Sequence, residues 1–139
     1  MRTYLVLAVL AMSLTACGGG DSASDGTVTS PPPGTTLGSR AMPGSTITVT
    51  PETAISAGQP LSVLISAPDL PAGATLTATV GADRETAIAA TLTPLPGNHW
   101  RAAMTLPSPL PVGTIVLVTV TLADGSVLES GLEDFVLAR

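Results

Sequence analysis

From residue 46 onward the chain runs in short segments that alternate threonine or serine with aliphatic residues, and proline or glycine bounds nearly every one. Thr46-Ile47-Thr48-Val49-Thr50 sets Ile47 and Val49 on one face and three threonines on the other. Leu61, Val63 and Ile65 make the inward row of a second segment, Leu76, Ala78 and Val80 of a third, and Trp100, Ala102, Met104 and Leu106 of a fourth. Successive side chains of a strand point to opposite faces of a sheet, so a period of two with one apolar face is the pattern of a half-buried antiparallel strand. Helix is disfavoured throughout. Proline or glycine recurs too often to leave a capped run of a dozen residues, and the best candidate, Asp83 to Leu92, carries β-branched Thr86, Ile88 and Thr91.

Turn signals separate the segments: Ala57-Gly58-Gln59-Pro60, then 68–73, 81–83, 96–98 and 107–113, and finally Asp124-Gly125. Asp124-Gly125 lies between Thr121-Leu122 and Val127-Leu128 and predicts a two-residue hairpin turn of type I′, because both residues tolerate positive φ. About seven short strands at this spacing predict one all-β domain, an antiparallel β-sandwich, over residues 46–139. Within 115–122, Val116, Val118, Val120 and Leu122 read as the core row. Ile115 and Leu117 then face outward and require either a covering loop or a partner, which makes them a candidate partner surface.

Composition narrows the chemistry. The chain has five arginines, no lysine, ten acidic residues and a net charge of -5. It cannot lay a basic track along phosphates, so nucleic-acid binding is excluded. A single cysteine, Cys17, leaves no intrachain disulfide and no multi-cysteine zinc site. Aromatics are 2% of residues, so Trp100 and Phe135 are expected in the core and no aromatic platform remains for carbohydrate.

The carboxylates from Glu52 to Asp134 fall in turns or on polar faces, as solvated acids do. Asp124, Glu129, Glu133 and Asp134 are close in sequence but lack the spacing of a calcium loop. His99 has no G-x-S-x-G serine to activate and points outward if Trp100 points in. Gly20-Asp21-Ser22 sits in a Gly/Ser tract without a base or oxyanion donors. No cofactor and no enzymatic activity are expected.

The segment before the domain reads as an address and a tether. Arg2 precedes nine residues, Tyr4 to Met12, with no charge and no breaker, the layout of a secretory signal and too short to span a bilayer. Leu14-Thr15-Ala16-Cys17 resembles the lipobox of bacterial lipoproteins. That resemblance implies cleavage by signal peptidase II before Cys17, with Leu14, Thr15 and Ala16 as its recognition residues and a diacylglycerol on the Cys17 thiol. Gly18 in place of aspartate implies an outer-membrane address in a Gram-negative cell, and in a Gram-positive one the anchor implies the outer leaflet of the plasma membrane. Between Gly18 and Ser45, glycine, serine, threonine and proline supply 20 of 28 residues, so this stretch is expected to be a disordered linker.

Trp100 after Gly97-Asn98, Leu106-Pro107, Gly113-Thr114 opening the long strand, Asp124-Gly125 and Phe135-Val136-Leu137 together resemble a bacterial immunoglobulin-like domain. Ile115 stands where that family usually has an aromatic. The expected organisation is therefore a signal peptide over 1–16, a lipidated Cys17 with its linker over 17–45, and an immunoglobulin-like or fibronectin-III-like sandwich over 46–139. The expected function is that of a lipid-anchored cell-envelope protein with a non-enzymatic binding or structural module, its partners the membrane through Cys17 and another protein. The alternative is a periplasmic accessory or inhibitor lipoprotein acting on one envelope enzyme or complex.

Overall fold

The structure, a computed structural model, describes residues 29–42, 44–131 and 134–139. The signal segment, Leu14, Thr15, Ala16 and Cys17 lie outside the described residues. Nine strands follow one another: β1 (Gly38–Met42), β2 (Ser45–Pro51), β3 (Pro60–Ser66), β4 (Thr75–Gly81), β5 (Ile88–Ala89), β6 (Thr91–Leu95), β7 (His99–Thr105), β8 (Ile115–Thr121) and β9 (Val127–Glu129). No helix occurs among the described residues.

The strands form two antiparallel sheets, ordered β1-β2-β3-β7-β6 and β5-β4-β8-β9. The sheets pack as an immunoglobulin-like sandwich around the inward rows. Ile47, Val49, Leu61, Val63, Ile65 and Ala102 from one sheet meet Leu76, Ala78, Val80, Val116, Val118 and Val120 from the other, all buried. The alternation in the sequence dictates this, since each row leaves its threonines outside. At Ala90 the chain passes from the second sheet to the first; its N–H donates to the Ala78 carbonyl between the two-residue β5 and β6.

Four expectations change. The strand number is nine rather than about seven, because β1 lies in the stretch expected as linker and β5, of two residues, is too short to show a period. The domain does not begin at residue 46: β1, inside the stretch expected as linker, pairs along its whole length with β2, from Gly38 opposite Val49 to Met42 opposite Ser45. Before it, Gly34 donates to the Pro51 carbonyl and Leu37 to that of Val49. Backbone pairing and the partly buried Leu37 and Met42 outweigh a composition that by itself predicts disorder.

Trp100 is on the inward side, opposite Pro94 of the edge strand β6, and is only half-buried. The largest fully buried side chain is Phe135. The Asp124-Gly125 turn is also not of type I′. Gly125 alone has positive φ, at 86°, its N–H donates to the Leu122 carbonyl, and Leu122 in turn donates to Ser126. A type I turn over 122–125 followed by a left-handed glycine gives this pattern, and the Asp124 carboxylate holds it by accepting from the Ser126 N–H at 2.8 Å.

The added strand β1 decides where the chain enters. Thr29 and Arg139 exchange two backbone hydrogen bonds of 3.1 Å. Gly113 donates to the Ala138 carbonyl, Gly58 to that of Pro107, and Gly81 lies opposite Ile115. The loops 52–59, 82–87 and 107–113 therefore share one pole with Thr29 and Arg139. At the other pole, Ala67 donates to Asn98, a Cβ on Gly44 would meet Pro71, and one on Gly73 would meet Ala123.

Candidate interaction surface

The outer face of the four-stranded sheet carries the residues singled out in the sequence. On β8 the outward positions are Ile115, Leu117, Thr119 and Thr121. Facing them on β4 are Gly81, Thr79, Thr77 and Thr75. One half of the face is a threonine array and the other is apolar. Ile115 and Leu117 are nevertheless only 6% and 8% exposed, so cover comes from within the domain and they present no open apolar surface.

The cover is the turn 82–87. Asp83, Arg84 and Ala87 line a small cleft together with Thr79, Gly81, Ile115 and Leu117. Arg84 reaches across to Glu129 of β9, 2.5 Å away, which carries its aliphatic stem over the apolar half. The turn is shaped by Asp83, whose carboxylate accepts from the Thr86 N–H and hydroxyl, each at 2.8 Å. Those two bonds hold the Asp83 pKa below the usual aspartate value. Val136 pairs with Ile115 and closes the other flank.

The outer face of the five-stranded sheet carries two polar groups that only cross-strand register brings together. Glu52 accepts from Arg101 Nε at 2.7 Å, from its NH2 at 3.1 Å and from the Ser62 hydroxyl at 2.7 Å. The bidentate arginine first, and the serine next, lower the Glu52 pKa; burial opposes them weakly. The second group is Ser66 opposite His99. His99 Nδ1 lies 3.1 Å from the Pro96 carbonyl, which can only accept, so Nδ1 carries the proton and Nε2 accepts from the Ser66 hydroxyl at 3.1 Å.

A serine hydrogen-bonded to an oriented imidazole is the beginning of a nucleophile site, but acyl transfer also needs donors aimed at an oxyanion. The donors beside Ser66 are engaged elsewhere: the Ala67 N–H holds the Asn98 carbonyl and the Asn98 amide holds that of Pro68. The pair instead ties β3, β7 and the 96–98 turn together. His99 does face outward, as the alternation requires. The partner serine had no signal in the sequence, because 33 residues separate the two.

Three of the four acids weighed for calcium are engaged at separate places. Asp124 holds the β8–β9 turn, Glu129 pairs with Arg84, and Asp134 accepts from the Gly131 N–H and lies 3.6 Å from Arg40. Glu133 lies outside the described residues. Among the described residues no three of histidine, cysteine, aspartate and glutamate gather as metal ligands. No family model, no curated protein and no solved structure matches the chain.

Proposed function

We infer that the chain is a lipid-anchored cell-envelope protein whose immunoglobulin-like domain works by binding, with Cys17 as the site of lipid attachment. The observation that carries this is Leu14-Thr15-Ala16-Cys17 directly after the uncharged run Tyr4 to Met12. Two or three acyl chains, each contributing about 0.8 kcal/mol per buried CH₂, would hold such a protein on a bilayer essentially permanently. The domain's architecture suits that role. Because Thr29 sits beside Arg139, a lipid anchor upstream would hold one pole of the sandwich and leave the loops 67–74, 96–98 and 122–126 projecting away from it.

The binding reading is supported by how the domain uses its carboxylates. Glu52, Asp83, Asp124, Glu129 and Asp134 each hold an arginine, a turn or a neighbouring backbone amide, which is structural work. The test is fractionation of cells expressing the full chain and its Cys17→Ser variant. The parent is expected in the membrane fraction with the mass of the cleaved, acylated protein, and the variant in the soluble fraction. An unmodified thiol on the membrane-bound parent would refute the anchor. Turnover of a substrate by the purified chain, abolished by Ser66→Ala or His99→Ala, would refute the binding reading.

A further inference from the structure

The pole that bears Thr29 also bears the most exposed large apolar side chain of the described residues, Val112, at 67%. It tops the loop Pro107-Ser108-Pro109-Leu110-Pro111-Val112-Gly113, which has no charged residue. Leu110 of this loop is buried and roots it in the core, while Pro109, Pro111 and Val112 are exposed. The tip is braced from behind. The Thr114 hydroxyl donates to the Pro111 carbonyl at 2.6 Å, the Thr114 N–H to the same oxygen at 3.3 Å, and Gly113 to Ala138 at 2.8 Å. Val112 and Arg139 border one groove with Gly113, Val136 and Ala138. Ile88, 40% exposed, pairs with Val80 one step from the same pole.

A rigid, uncharged, proline-braced apolar tip beside an exposed arginine is suited to the interface of a bilayer, where apolar side chains enter the acyl boundary and a guanidinium meets phosphate. The length of chain before the structure fixes the occupant. Between Cys17 and Thr29 only residues 18–28 intervene, and a chain of that length reaches at most about 40 Å even when fully extended. Thr29 is itself pinned to Arg139 in the groove's own wall. A bilayer holding Cys17 is thus the surface this pole meets first and most often.

We propose that the 107–113 loop, through Val112 with Arg139 beside it, seats the domain on the lipid surface that anchors Cys17. The proposal rests on the lipid-anchor reading above. Seating fixes the orientation of the sandwich, with the 67–74, 96–98 and 122–126 loops turned outward.

The experiment uses the full chain processed in its host, purified and reconstituted into phosphatidylcholine vesicles. Acylation blocks the thiol of Cys17, so Val112→Cys and Ser126→Cys each offer one site for an environment-sensitive fluorophore. Ser126 belongs to the opposite pole and is exposed, and it carries the same dye as a control. Iodide quenching at position 112 is expected to be lower than at 126 by about threefold or more, with a blue-shifted emission and quenching by nitroxide lipids at 112 alone. Equal iodide access at the two positions on vesicle-bound protein would overturn the seating and leave the anchor reading standing. Protein that stays off the vesicles with a free Cys17 thiol would overturn both.

Discussion

Phe135 and Trp100 are the two aromatic side chains of the domain, and their burial assigns them different weights. Phe135 is fully buried and its carbonyl accepts from Val116, so it fixes the chain's last stretch to the start of β8. Trp100 lies opposite Pro94 of the edge strand and packs on the core while remaining partly exposed. Phe135→Ala is therefore expected to cost about 3–5 kcal/mol and Trp100→Ala about 1–2, in urea unfolding followed by circular dichroism. Equal losses would show that the edge position is better packed than its exposure indicates. Glu52 gives a pH-dependent counterpart. Its folded pKa is depressed, so its contribution is complete above the ordinary glutamate range and is lost as pH falls through the lowered value. Both side chains are 30–50% exposed, so solvent screening leaves the pair only a small contribution. Glu52→Gln should lower the urea midpoint slightly at neutral pH and flatten its decline as pH falls below the ordinary glutamate range. A decline as steep as the parent's would remove Glu52 from the acid response.

Elements that carry their own periodicity were legible in the sequence, and elements that borrow stability from neighbours were not. β2, β3, β4, β7 and β8 each show an inward apolar row, and the structure buries those rows. β1 reads Gly-Ser-Arg-Ala-Met, without alternation or β-branched residues, and exists because β2 offers it a ladder. β5 spans two residues and β6 has Pro94 as the fourth of its five, a placement suited to an edge strand. The same contrast governs the candidate surface. The strand period shows that Ile115 and Leu117 face outward, yet the contact that ties the covering turn across the sheet, from Arg84 to Glu129, spans 45 residues, and no local pattern encodes it. Gly81 controls that cover, since a Cβ there would stand 2.6 Å from Ala87 Cα. Gly81→Ala is expected to displace the 82–87 turn and expose the apolar half of the face. It should raise binding of an apolar dye several-fold at about native secondary structure, and Arg84→Ala should do the same more weakly. Unchanged dye binding in both would show that Val136 and the strand edges suffice as cover.

At the scale of the whole molecule, β1 is the feature that departs furthest from a reading by composition, because it turns part of an apparent linker into structure. Residues 29–37 run beside β2 and the 134–139 stretch, held by hydrogen bonds from Gly34 and Leu37 and by the paired bonds of Thr29 with Arg139. Gly38 packs so closely that a Cβ would lie 2.8 Å from the Asp134 carbonyl, and Arg40 reaches the Asp134 carboxylate. The strap thus spans the open side between the five-stranded sheet and the last segment of the other. A protease needs several residues of extended, unpaired backbone, so cleavage follows local opening rather than composition. Limited proteolysis of the full chain with a protease of broad specificity is expected to leave a resistant fragment beginning near residue 29, read by mass and N-terminal sequencing. A chain with residues 29–42 deleted should have a lower urea midpoint, because β2 becomes a bare edge and Leu37 and Met42 no longer pack on the core. A resistant fragment beginning near residue 46, with the midpoint unchanged by the deletion, would return the strap to the linker. It would also lengthen the tether after Cys17 from 11 residues to 28 and loosen the orientation that places the 107–113 loop toward the lipid.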